Sequence, residues 1–189
     1  MPINKDTKVF NLFKENLILN IKKIEEKKIN KIVKVINSIN KKNKILIFGN
    51  GAGQSIANHF AVDLTKNCKI NALTFSEGNH ITCYANDYGY ENWVVRTIQN
   101  NYKKNDLIIL LSASGNSPNI FKAAKFCNKN KIKFITLSGF NQKNKISKLG
   151  NINLWFDSKS FNIVEMLFSY VLLLIVDSIK GTIYYSNKK

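Results

Sequence analysis

Three hydroxyls fall within six positions, at Ser112, Ser114 and Ser117, directly after the apolar run Leu107-Ile108-Ile109-Leu110-Leu111. Gly115 stands among them and Pro118 follows, a residue suited to the first turn of a helix, with Ser117 placed to cap it. Hydroxyls in a loop often do no more than stabilise turns. A serine cluster between a buried strand and a helix N-terminus, with a glycine that lets a ligand approach the backbone, is suited to a phosphate. A second run, Lys44-Ile45-Leu46-Ile47-Phe48, breaks in the same way into Gly49-Asn50-Gly51-Ala52-Gly53. A dinucleotide fingerprint would need its third glycine at position 54, where the chain has Gln54, so no nucleotide cofactor is expected even though Glu77 follows the second strand.

Proton-transfer chemistry has four candidates. His59 and Asp63 are four apart and share one face of a helix, an imidazole beside a carboxylate. The same pair could start a zinc site, although catalytic zinc generally has three protein ligands. His80 follows the second strand, and Glu165 interrupts an otherwise apolar helix, where a buried carboxylate needs a partner. The plainer alternatives are a locally bonded helix histidine and carboxylates paired with lysine at an interface.

These residues need a scaffold, and the periodicity supplies one. Residues 9 to 39 carry apolar side chains at helical spacing, predicting one or two helices. Five apolar runs then read as strands: Lys44–Phe48, Ile70–Phe75, Leu107–Leu111, Lys133–Leu137 and Ile152–Phe156. Helices are expected over Ala52–Lys66, His80–Ala85, Tyr90–Tyr102, Pro118–Asn128, near Lys143–Leu149, and from Ser160 to Ile179. Nearly continuous apolar strands alternating with helices predict an α/β fold with a parallel sheet of these five strands covered by helices on both faces. In such a sheet both loops lie at the carboxyl ends of the strands, where ligands bind. The expected organisation is an N-terminal helical segment over 1–40 that packs in an oligomer, one domain over 41–181, and a frayed tail over 182–189.

At 189 residues the chain has room for one domain with a real core, and its net charge of +17 is the unusual feature of its composition. Arg96 is the only arginine, and the lysines are scattered among Asn and Ile rather than clustered. That composition argues against specific nucleic-acid readout, for which arginine forks and a basic motif are expected. Cys68, Cys83 and Cys127 give no disulfide framework or zinc spacing, and no signal-like segment or 20-residue apolar span is read. A soluble cytoplasmic protein without a membrane contact is the expectation.

Four blocks occur in order: Gly49-Asn50-Gly51, His59-Phe60-Ala61-Val62-Asp63-Leu64, Ala85-Asn86-Asp87-Tyr88-Gly89-Tyr90-Glu91, and Ser112-Ala113-Ser114-Gly115-Asn116-Ser117-Pro118-Asn119. Together they resemble the sugar isomerase (SIS) domain and, within it, the phosphoheptose isomerases that act on sedoheptulose 7-phosphate. The likeness covers about residues 40 to 180. It implies a three-layer αβα, doubly wound, five-stranded parallel sheet of flavodoxin-like type with N-terminal helices, in a homotetramer with sites at subunit interfaces. It implies that Ser112, Ala113, Ser114 and Ser117 hold a sugar phosphate while Asn50, Gly51, Ala52, Asn86 and Asp87 line the sugar site.

The same resemblance exposes departures. The family carries glutamate as base where this chain has Asp63, one methylene shorter. The family's closing helix presents a glutamine and, two turns later, a histidine, as metal ligand and catalytic acid. Those positions are Val164 and Leu172 here. The serine of the family's first loop is replaced by Gly53, and a threonine of its second loop by Ala113. Three readings follow. The first is a ketose–aldose isomerase serving surface polysaccharide synthesis, with Asp63 taking the proton beside the carbonyl and His59, His80 or Glu165 as donor. The second is a non-catalytic sugar-phosphate sensor or scaffold, with a protein partner. The third is direct nucleic-acid binding by the lysines.

Overall fold

A computed structural model describes residues 5–185. The chain begins with two helices, α1 (Lys5–Lys22) and α2 (Glu26–Asn37). It continues through β1 (Ile45–Phe48), α3 (Ala52–Cys68), β2 (Ala72–Leu73), α4 (Gly78–Tyr88), α5 (Trp93–Asn101), β3 (Leu107–Ser112), α6 (Pro118–Lys129), β4 (Phe134–Ser138), β5 (Ile152–Trp155) and α7 (Phe161–Lys180). The strands form one sheet in the order β2-β1-β3-β4-β5, every pair parallel. This is the expected fold.

The three layers follow from strand alternation. Ile45 and Ile47 of β1, Leu107, Ile109 and Leu111 of β3, and Ile135 and Leu137 of β4 pack with α2, α3 and α7. Leu46, Phe48, Ile108, Leu110 and Phe134 point the other way, into a second core with α5 and α6. Because both faces are buried, β1 and β3 up to Leu111 read as unbroken apolar runs, while β4 buries Thr136 and Ser138 among its apolar residues. α3 leaves β1 for one face, and α6 leaves the neighbouring β3 for the other. A crevice therefore opens between the two loops at the carboxyl ends of these strands.

Several expected elements differ. Within the expected N-terminal helical segment over 1–40, Ile29, Ile32 and Ile36 of α2 are buried in the sheet's own core. β2 is two residues long rather than six. It is an edge strand paired with β1 alone, and the chain leaves it for α4. The expected helix near Lys143–Leu149 is a series of turns. There the Asn144 side chain donates to Ser138 Oγ, the Gly139 carbonyl and the Asn141 carbonyl, and accepts from the Ile146 amide. Such local side-chain bonding competes with a helix.

α7 begins at Ser160, whose Oγ accepts from the Ile163 amide, and ends at Gly181 in the left-handed region. It is long and apolar enough by composition to cross a membrane, yet its Ile163, Val164, Leu167, Phe168, Val171, Leu172, Ile175 and Val176 are buried inside the protein. Beyond Gly181 the chain turns back, so that Tyr185 Oη donates to Asp177 and the Lys180 ammonium lies over the Tyr185 ring. The rest of the expected tail, 186–189, lies outside the described residues.

Candidate active site

The serine loop is a tight, clamped turn. Ser112 closes β3, and its Oγ is 2.9 Å from Ser117 Oγ. Ser117 occupies the N-cap position of α6, but its hydroxyl turns to Ser112 rather than capping the helix as expected. The first-turn amides of α6 therefore keep their donors for something else. Ser114 Oγ accepts from the Asn116 amide at 3.2 Å. Gly115 has φ +67°, and a Cβ there would come within 2.1 Å of the Asn144 side chain. Asn144 thus holds the turn from the β4–β5 connection, and Asn116 Oδ1 accepts from the Lys145 amide beside it. Three hydroxyls beside a helix N-terminus make a neutral anion cradle.

The first loop sits across the crevice. Gly49 lies against the first turn of α3, since a Cβ on it would be 2.6 Å from the Gly53 carbonyl carbon. Asn50 and Asn119 exchange two side-chain hydrogen bonds, of 3.0 and 2.8 Å, and Tyr90 Oη donates to Asn50 Oδ1 at 3.1 Å. Gln54 accepts from the Gly49 amide and donates to Asn58, which donates to Ser76. These groups frame a polar cleft of about 340 Å³ lined by Asn50, Gly51, Ser55, Asn58, Ser76 and Tyr90 among others.

Ser55 also lines a second cleft of about 250 Å³, between α3 and α7, with Ile56, His59, Phe60, Ser169, Leu172 and Leu173. His59 Nε2 lies 3.3 Å from Asp63 Oδ2, and Asp63 Oδ1 accepts from Asn67 at 3.0 Å. On the opposite wall, α7 presents Leu172 and Leu173 beside Ser169, whose hydroxyl donates to the Glu165 carbonyl. Leu172 is buried there. Val164 is fully buried one layer below the serine loop, against Gly139, whose amide donates to the Ala113 carbonyl. A zinc ion does not fit this donor set: among the described residues no third His, Cys, Asp or Glu joins the pair.

Of the remaining expected site residues, Ala52 and Ala113 belong to the two loops, and His80, Asn86, Asp87 and Glu165 line neither cleft. His80 stacks on Tyr84 at 4.3 Å between ring centroids, beside Phe75 and Trp93. Its Nε2 is 2.9 Å from Thr97 Oγ1, whose own proton goes to the Trp93 carbonyl. Those partners belong to the core on the other side of the sheet, and His80 lines neither cleft. Asn86 and Asp87 are exposed on the last turn of α4, bonded to each other. Glu165 is half-buried on α7, and its carboxylate lines neither cleft. Ala52 is exposed at the start of α3, and Ala113 is half-buried. Reading the sequence missed Ser55, Asn58, Ser76 and Asn119. Only Asn119 gave a signal, as a polar residue one step inside a helix that opens on proline.

A doubly wound parallel sheet with a serine loop and a helix N-terminus at its crevice defines an α/β protein with a candidate anion site there. The SIS domain model matches residues 12–139, and the chain belongs to that family. It is similar to the phosphoheptose isomerase of Helicobacter pylori (strain Shi470), 30% identical over 187 residues and covering 96% of both chains. The phosphoheptose isomerase of Fusobacterium nucleatum is 28% identical over 169 residues, covering 86% of this chain and 87% of that one. The solved structure of a phosphoheptose isomerase from Francisella tularensis superposes with a TM-score of 0.84 at 21% identity, covering 96% of this chain and all of the other (100%).

Proposed function

We propose that the protein is a sugar-phosphate isomerase of the phosphoheptose type, interconverting sedoheptulose 7-phosphate and the corresponding aldose phosphate for surface polysaccharide synthesis. The observation that carries this reading is the serine cradle set across one crevice from the Asn50 loop, with His59 one helical turn beyond Ser55. The hydroxyls of Ser112, Ser114 and Ser117 and the first amides of α6 hold the phosphate. The sugar chain then runs along the polar cleft past Asn50, Gly51 and Ser55. Proton transfer beside the carbonyl falls to the His59–Asp63 pair, of which His59 lines the α3–α7 cleft and Asp63 stands behind it. Holding the phosphate at one end converts an encounter into a fixed approach of the reacting carbon to this pair. No step is assigned to a metal.

We place the protein in the cytoplasm, which its free thiols at Cys68, Cys83 and Cys127 support. We also assign it a homotetramer. Exposed Val9, Phe10 and Leu12 on α1, Val62 on α3, and Phe161, Met166 and Leu173 on α7 support a shared apolar surface.

Turnover of sedoheptulose 7-phosphate, followed by NMR of the sugar with and without added zinc, tests the reading. Conversion that is lost in Asp63→Asn supports it. A second reading is favoured by one observation, that the α7 positions Val164 and Leu172 carry hydrocarbon side chains, Leu172 facing His59 across the cleft and Val164 buried against Gly139. A protein that binds the same sugar phosphate saturably but never converts it is a sensor or scaffold.

A further inference from the structure

Asn119 is fully buried, yet it is a polar side chain one residue inside α6, directly behind the phosphate cradle. Both of its side-chain hydrogen bonds cross the crevice: Nδ2 donates to Asn50 Oδ1 at 2.8 Å, and Oδ1 accepts from Asn50 Nδ2 at 3.0 Å. Asn50 Oδ1 takes a further hydrogen bond from Tyr90 Oη. A side-chain amide oxygen has two lone pairs and its nitrogen two hydrogens. Asn50 Oδ1 is therefore saturated by protein donors, and one Asn50 N–H remains unspent in a residue that lines the polar cleft.

We propose that Asn119 is a positioning residue that locks the Asn50 amide as a hydrogen-bond donor, so that the cleft selects an acceptor oxygen, such as the carbonyl, on the sugar chain of its ligand. This rests on the isomerase reading. The pair also explains how two loops on different strands act together. α6 carries the phosphate cradle at its tip and Asn119 just inside, so the end that holds the phosphate also sets the group that meets the sugar. A free Asn50 amide could turn over and offer either its oxygen or its nitrogen, and that ambiguity would weaken discrimination between a carbonyl and a hydroxyl.

The test separates phosphate from sugar. In Asn119→Ala, kcat/KM for sedoheptulose 7-phosphate falls at least tenfold, while the inhibition constant of inorganic phosphate stays within twofold. The double variant Asn50→Ala with Asn119→Ala is no worse than Asn50→Ala alone, because the two act as one unit. The near-isosteric Asn119→Asp, which replaces the donor to Asn50 with an acceptor, shows the same split and serves if the alanine variant fails to fold. Equal loss of phosphate and sugar binding overturns the proposal by making Asn119 a support of the cradle alone. Additive effects of the two alanines overturn it as well. A wild-type protein that binds inorganic phosphate but neither binds nor converts sedoheptulose 7-phosphate removes the isomerase reading and, with it, this proposal. That outcome is distinct from an insensitive Asn119 variant of an active enzyme.

Discussion

Single residues carry the binding and the electrostatics. Ser114→Ala removes one hydroxyl of the cradle and should weaken binding of a phosphorylated ligand by about 1.5–3 kcal/mol, the scale of a hydrogen bond to a charged group; calorimetry with the sugar phosphate reads this. Asp106 is the most committed charge in the molecule. It is buried before β3, and its carboxylate accepts from Lys44 Nζ, Asn43 Nδ2 and the amides of Lys44 and Lys103. Burial alone would raise its pKa, but those hydrogen bonds hold it below the ordinary carboxylate value. A depressed folded-state pKa gives stability that is present above the unfolded value of about 3.9 and lost as pH falls through the folded one. Lys44→Met leaves that buried carboxylate hydrogen-bonded but without its counter-charge and should cost about 3–5 kcal/mol in urea unfolding at pH 7. The cysteines divide by burial. Cys127 is buried and its thiol is pushed up to about 12, whereas Cys83 is exposed. A maleimide should label Cys83 in the native protein and reach Cys127 only after unfolding.

At the scale of elements, the site depends on how the loops are held rather than on the strands that carry them. Gly115→Ala meets both a left-handed backbone and the Asn144 side chain, so the cradle must move. Phosphate affinity should fall more than in Ser114→Ala although no hydroxyl is lost, and equal affinities would show the loop to be more compliant than its packing indicates. Helix α7 sets the other limit. Leu172 faces the cleft that holds His59, so Leu172→His supplies the third donor the α3 pair lacks. Zinc affinity measured by competition with a chelator should rise at least tenfold in that variant. The strands and the long helices were legible from hydrophobic periodicity. The turns near Asn144 were not, because a side chain competing for backbone groups leaves no period in the sequence.

For the whole molecule, charge and apolar surface lead to different expectations. The net charge of +17 attracts polyanions, but the two clefts at the site are lined by no lysine. Retention on DNA should therefore disappear at physiological salt, as for nonspecific counterion release. The exposed apolar residues of α1, α3 and α7 imply association instead. Phe10→Lys combined with Leu173→Glu should shift the protein toward monomers in light scattering while leaving its circular dichroism unchanged.

The order of strands and helices, the parallel sheet and the serine cradle were written in local pattern, since a buried strand, a glycine break and a helix start each leave a signature within a dozen residues. Position across the crevice left none. Nothing in the spacing of Asn50 and Asn119 says that they exchange hydrogen bonds, nor that His80 packs with Thr97 and Tyr84 in the opposite core while His59 faces Leu172. Those outcomes depend on which face of the sheet each helix covers, and that is decided only when both cores close around the strands.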